Sequence, residues 1–241
     1  MLITNRHVSE RASKNDSELH ARFNRPMGVE PNIYPIPSKD THGSTSWIVH
    51  PNSDADVAVL LINGQQLRKD GIEFSFFAGG TQKVYALDQA RESGVSEGDG
   101  VFVLGFPLGQ AGTERNYTVV RQGIIARIQD WLSGNAQTIL IDASIFPGNS
   151  GGPILLKPEV TAIQGTKPNE RCGLIGMVSS YLLYREVAVS QQTGLPRMIF
   201  EENSGLGIVV PYNVIEEAIE FAINELNLRQ PAVSKGKDIG S

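Results

Sequence analysis

Asp142-Ala143-Ser144-Ile145-Phe146-Pro147-Gly148-Asn149-Ser150-Gly151-Gly152-Pro153 is the stretch on which the reading of this chain turns. It sets a serine in a glycine-rich loop that follows the apolar run Thr138 to Ile141, a pattern of strand, tight loop and strand. A serine hydroxyl is a poor nucleophile until an imidazole takes its proton, and the imidazole in turn needs a carboxylate to fix its tautomer. Glycines around Ser150 leave a turn free of side chains, able to aim the N–H groups of Gly148 and Ser150 at one point. Such donors are what an acyl-transfer site sets against a developing oxyanion.

Two upstream islands supply the missing groups. Thr4-Asn5-Arg6-His7-Val8 places a histidine at the end of a strand entering a loop. Asp54-Ala55-Asp56-Val57-Ala58-Val59-Leu60 places an aspartate at the start of an apolar strand, and the apolar alternation selects Asp56, leaving Asp54 to the turn. His20, His42 and His50 read as solvated or loop-packing residues. Cys172 is the sole cysteine, so no intrachain disulfide forms, and it reads as a small apolar strand residue. No zinc site is expected, since no His pair has ligand spacing. The run Leu104 to Gly112 lacks the Lys-Ser/Thr of a phosphate-binding loop. Trp47 and Trp131 read as core.

The rest of the sequence fits a β-rich chain. Its 241 residues allow one large domain or two small ones. Glycine (25) and proline (13) are numerous enough to imply many turns. Short apolar runs at Trp47–Val49, Val57–Ile62, Val101–Phe106, Tyr117–Val120, Gly123–Ile128, Thr138–Ile141, Leu174–Leu183 and Gly207–Val210 read as strands of a sandwich or barrels. One helix stands out, with Asn213 as its N-cap and apolar rows through Val214, Ala218, Ala222 and Ile215, Ile219, Ile223. A net charge of −5 argues against a nucleic-acid partner or an anionic membrane surface. Met1 to Asn5 is neither a signal peptide nor a membrane span, which points to the cytoplasm for the chain as it stands.

On these residues the chain resembles the chymotrypsin-like (trypsin-fold) serine proteases, and most closely their bacterial HtrA/DegP-type branch. The matching motifs are Thr4 to Val8, Asp56 to Leu60 and Gly148 to Pro153, with Gly98 to Gly109, Gly123 to Ile125 and Gly205 to Pro211 in support. The resemblance implies an all-β fold of two antiparallel six-stranded barrels and a C-terminal helix. Six residues precede His7, so the first barrel is expected to lack its N-terminal strand or strands. The implied divisions are 1–110 for the N-terminal barrel half, 111–212 for the C-terminal half, 213–228 for the helix and 229–241 for a disordered tail, with no PDZ-like domain.

The same resemblance implies peptide-bond hydrolysis through an acyl-enzyme, on a protein or peptide substrate, with no metal or cofactor. His7 would be the general base and then acid, Asp56 its orienting partner and Ser150 the nucleophile. Gly148 and Ser150 would form the oxyanion hole. Ser144 falls where the family places the floor of the specificity pocket, and a neutral hydroxyl there implies small or apolar rather than basic residues before the scissile bond. Ser179, Ser180 and Tyr181 match the strand that pairs with substrate, with Tyr181 placed to narrow the pocket, and Gly207 joins the substrate-binding set. Asn149 stands where zymogen-activated relatives carry an aspartate, so activation by N-terminal clipping is not expected. The rival reading is a catalytically silent binding or regulatory module on the same fold.

Overall fold

The computed structural model describes residues 1–14, 18–37, 39, 45–80, 84–158 and 171–229. His42 and the tail from 230 lie outside the described residues. In chain order the elements are β1 (Leu2–Thr4), α1 (Arg6–Lys14), β2 (Leu19–Phe23), β3 (Asn32–Ile36), β4 (Ile48–Val49), β5 (Ala58–Leu60), α2 (Gly64–Lys69), α3 (Leu87–Ser93), β6 (Gly100–Gly105), β7 (Val119–Arg127), α4 (Gln129–Leu132), β8 (Ile139–Asp142), β9 (Pro153–Leu156), β10 (Gly173–Val189), β11 (Pro196–Pro211) and α5 (Tyr212–Arg229). No helix among the described residues is long and apolar enough to cross a membrane.

Six strands close into an antiparallel barrel in the order β10-β11-β8-β7-β6-β9. Alternation along these strands points Val101, Val103, Ile125, Ile139, Ile141, Ile154, Leu156, Ile175 and Val209 inward, and they form one buried cluster with Trp131. The barrel begins with β6, so Gly100–Gly105 belongs with the strands that follow it rather than with residues 1–110. Its hydrogen bonds decide this, because β6 pairs with β7 on one side and β9 on the other.

The N-terminal half is less complete. It holds a three-stranded sheet, β1-β5-β4, and a separate hairpin, β2-β3, and these do not close into a six-stranded barrel among the described residues. One edge of β1 pairs with β5, and the other carries no strand among the described residues. An apolar cavity of about 690 Å³ lies between sheet and hairpin, lined in part by Leu2, Ala21, Ile36 and Leu60. The C-terminal helix fastens the two halves together. Val214, Ile215, Ala218 and Ala222 of α5 pack with Val57 and Val59 of the N-terminal sheet and with Met177 and Val210 of the barrel.

Three local expectations are corrected. His7, expected to end a strand and enter a loop, instead opens α1, a helix whose buried face is built from the small residues Ser9 and Ala12 and shows no apolar row. Asn213 is not the N-cap of α5. It sits inside the first turn, and its side-chain oxygen accepts the Trp131 indole N–H at 2.9 Å. Cys172 is exposed at the mouth of β10 rather than packed in a strand.

Ile154 is fully buried in the barrel, whereas Ile199 on the outer part of β11 is 54% exposed. Ile154→Ala is therefore expected to cost about 2–4 kcal/mol in a denaturant melt, while Ile199→Ala should change stability by no more than about 0.5 kcal/mol.

Candidate active site

His7 is presented from the first turn of α1, immediately after β1. Two neighbours fix that turn. Asn5 is fully buried, its carbonyl accepts the N–H groups of Val8 and Ser9, and its Nδ2 donates to the Asp56 carbonyl at 2.9 Å. Arg6 reaches the other way and donates to the carbonyls of His50, Asn52 and Ser53. The Thr4-Asn5-Arg6-His7 run therefore ties the histidine to the loop that carries Asp56.

His7 and Asp56 are joined twice. The imidazole Nδ1–H donates to Asp56 Oδ2 at 2.8 Å, and the His7 backbone N–H donates to Asp56 Oδ1 at 3.1 Å. Ser179 Oγ–H donates to the same Oδ2 at 2.6 Å. The bond to Asp56 raises the His7 pKa above the ordinary 6.5, against the opposing pull of burial, and the Asp56 charge adds to the rise. Burial pushes the Asp56 carboxyl up, but the bonds from the His7 imidazole, the Ser179 hydroxyl and the His7 backbone outweigh it and hold the carboxyl below the ordinary 3.8.

Ser150 comes from the loop between β8 and β9 and faces the same cleft as His7. This cleft, of about 710 Å³, is lined by His7, Val8, Arg11, Ala12, Leu19, Ile145, Phe146, Pro147, Gly148, Ser150, Ser179, Ser180 and Tyr181. The hydroxyl of Ser150 donates to the Ser179 carbonyl at 3.3 Å and not to His7. Gly148 adopts φ +94°, and a Cβ there would lie 2.5 Å from the Phe106 carbonyl oxygen, so only glycine fits. The Leu108 N–H donates to the Pro147 carbonyl at 2.7 Å. In a planar trans peptide the next N–H points the opposite way, so the Gly148 N–H is turned away from Leu108. Neither that N–H nor the Ser150 N–H donates to another group among the described residues. Leu108 holds this position at φ 54°, the single positive-φ residue other than glycine among those described, with its side chain 65% exposed.

The remaining expected residues divide. Ser180 and Tyr181 line the cleft. Gly207 stands behind the wall, where a Cβ would meet Ile145 Cγ1 at 2.7 Å. Ser144 is not brought in: it is exposed, outside the described lining, and its carbonyl accepts from Arg121. The chain turns there so that Ile145, buried, and Phe146 face the cleft instead. Asn149 is buried and its Oδ1 accepts the Phe146 N–H at 3.0 Å, closing the loop locally. His50 is buried away from the cleft, its Nδ1 accepting the Asn52 N–H and its Nε2 3.4 Å from the Glu217 carboxylate. Sequence reading assigned no role to Asn5, Arg6 or the Ser179 hydroxyl, although the first two lie inside a motif it singled out. No cluster of metal-ligating side chains occurs among the described residues.

Residues 1–160, well over half of the chain, match the family model of the trypsin-like peptidase domain, and the chain belongs to that family. Among solved structures it is similar to an HtrA-type protease, AlgW, in a variant determined with a tripeptide, at 19% identity and a TM-score of 0.44, covering 92% of this chain and 51% of that one. It is also similar to the MamO protease domain of Magnetospirillum magneticum in its apo form, at 17% identity and a TM-score of 0.41, covering 89% of this chain and 79% of that one. The chain thus spans about half the length of the HtrA-type protease. No curated protein matches it.

The raised His7 value and lowered Asp56 value fix the sign of a pH dependence. Stability from His7 is fully present below its ordinary value and is lost as pH rises through the raised folded value; stability from Asp56 is lost only as pH falls through its lowered one. Asp56→Asn is expected to bring the His7 titration midpoint down, read from its imidazole NMR signals. The variant should also lose less stability than the parent between about pH 5 and pH 8.

Proposed function

We propose that the chain is a serine endopeptidase that cleaves polypeptides through an acyl-enzyme. One observation carries this reading. His7, linked to Asp56 at 2.8 Å, and Ser150 line one cleft, and the Gly148 and Ser150 N–H groups have no partner among the described residues. In this reading His7 takes the Ser150 proton as the hydroxyl attacks the scissile carbonyl, and later delivers it to the leaving amine. Asp56 holds the imidazole with Nδ1 protonated, leaving Nε2 free to act as base, and stabilises the imidazolium. The Gly148 and Ser150 N–H groups receive the negative charge of the tetrahedral intermediate. Turning Ser150 Oγ from the Ser179 carbonyl toward His7 completes the relay, an adjustment of the kind that substrate binding makes.

Apolar side chains before the scissile bond fit the cleft best. Its described wall offers Val8, Leu19, Ile145, Phe146 and Tyr181, and its one ordinarily charged member besides His7 is Arg11, which opposes basic residues. Ser144 lies outside the described lining of this cleft, and the preference rests instead on Ile145 and Phe146.

A silent module on the same fold is the second reading, favoured by the Ser150 hydroxyl resting on the Ser179 carbonyl. A fluorophosphonate separates the two. The folded chain is expected to label at Ser150, Ser150→Ala not to label, and His7→Ala to label at least about 10³-fold more slowly. Absence of labelling in the folded parent would sink the peptidase reading.

A further inference from the structure

β10 and β11 do not end with the barrel. Beyond Tyr181 they continue as a two-stranded arm to Val189, returning from Pro196, with the register Tyr184↔Glu202, Glu186↔Phe200, Val187↔Ile199 and Ala188↔Met198. Apart from Ser190 in its own turn, residues 182–203 are exposed, including Leu183, Tyr184, Val187, Met198, Ile199 and Phe200. Two strands alone are marginal in water, and apolar residues exposed on both faces are more than a solvated arm needs.

The edge of this arm leads out of the cleft. β10 is covered on its outer side by β9 only as far as Met177, and Val178 is held by exchange with Gly151 and Gly152. From Ser180 to Val189 that side carries no strand among the described residues. Ser179 to Val189 thus makes a continuous strand about 33 Å long, with Ser179 at Ser150 and Val189 at the far end.

Building on the peptidase reading, we propose that this free edge extends the substrate site and takes long, extended, apolar polypeptide segments by strand addition. A strand pairing antiparallel with β10 runs inward from Val189 to Ser179, so the residues along the arm are those N-terminal to the scissile bond. Main-chain pairing gives affinity with little demand on sequence, and the alternating side chains of the incoming strand lie beside Leu183, Val187 and Ile199 on one face and Tyr184, Met198 and Phe200 on the other. The second face also carries Glu186 and Glu202, which disfavour acidic substrates. Such segments are those an unfolded chain presents and a folded one buries. The edge belongs to substrate rather than to a second copy because one strand, Gly173–Val189, carries it from the nucleophile outward through its register shifts at Val178/Ser180 and Tyr181/Leu183.

The test is a series of apolar fluorogenic peptides of fixed scissile sequence, lengthened separately on each side. For the parent chain kcat/KM is expected to rise at least about tenfold as the N-terminal side grows from about four to about ten residues, and not with C-terminal growth. A shortened arm, with 185–201 replaced by Asn-Gly to make a two-residue hairpin turn between Tyr184 and Glu202, should cleave the short peptides at parent rates and lose the length effect. Hydrolysis that ignores N-terminal length, or a length effect that survives the shortening, overturns the extended edge and leaves the peptidase reading standing. A response to C-terminal growth alone overturns it too, as does a parent chain that sediments as a dimer through the arm. Should the shortened chain fail to fold, the parent series decides by itself. A folded parent that neither labels nor cleaves overturns both readings.

Discussion

The molecule is organised around a loop whose three glycines leave no room for a Cβ. Residues 148 to 152 thread between the N-terminal sheet and the barrel, and at each glycine there a Cβ would strike its surroundings. At Gly151 it would meet Thr4 at the end of β1, at Gly152 the carbonyl oxygen of Leu104 in β6, and at Gly148 the carbonyl oxygen of Phe106. The serine is therefore fixed by backbone approached from three sides rather than by its own packing. Pulling any side away would free the Gly148 and Ser150 peptides to turn, and donors that must reorganise when charge develops stabilise it far less than donors already in place.

That constraint explains the price paid at Leu108, a left-handed leucine with an exposed side chain. For an L-residue this conformation costs roughly 1–2 kcal/mol, and no side-chain packing offsets it. What it secures is the N–H bond to the Pro147 carbonyl, and through peptide planarity the direction of the Gly148 N–H. The other wall is fixed by different means. Asn5 and Arg6 lock α1 to the loop before β5, and Ser179 of the barrel reaches across to Asp56 of the N-terminal half. One hydroxyl thus couples the carboxylate to the strand whose carbonyl receives Ser150.

The parts legible in the sequence were those whose residue types are dictated by local chemistry. Gly148 to Pro153 permits few other uses, and Val101 to Val103 and Ile139 to Ile141 could scarcely be anything but buried strand. The final helix followed from its apolar rows. Hidden elements were those stabilised by partners distant in the chain. α1 buries serine and alanine, so it has no apolar stripe to detect, and Asn213 resembles a cap until Trp131, far upstream, claims its oxygen. Ser144 misled for a related reason. Counting back from Ser150 fixes a position along the chain but not the turn of the backbone, and at residues 144–145 the turn decides which side chain faces the cleft.

The two halves of the molecule then play unequal parts. The barrel is closed and carries the largest core among the described residues, and it supplies Ser150, the Gly148 and Ser150 N–H groups and the strand beside them. The N-terminal sheet is three short strands, and the segments that leave it carry His7 and Asp56, joined at 2.8 Å. In the proposed peptidase rigid geometry matters most at the backbone donors, whereas His7, joined to Asp56 through its imidazole and its backbone N–H, can follow the carboxylate as a unit. Placing His7 and Asp56 on the less enclosed half is tolerable because Asn5 and Arg6 tie the two to one another's segments, while Ser179 and α5 bind that half to the barrel.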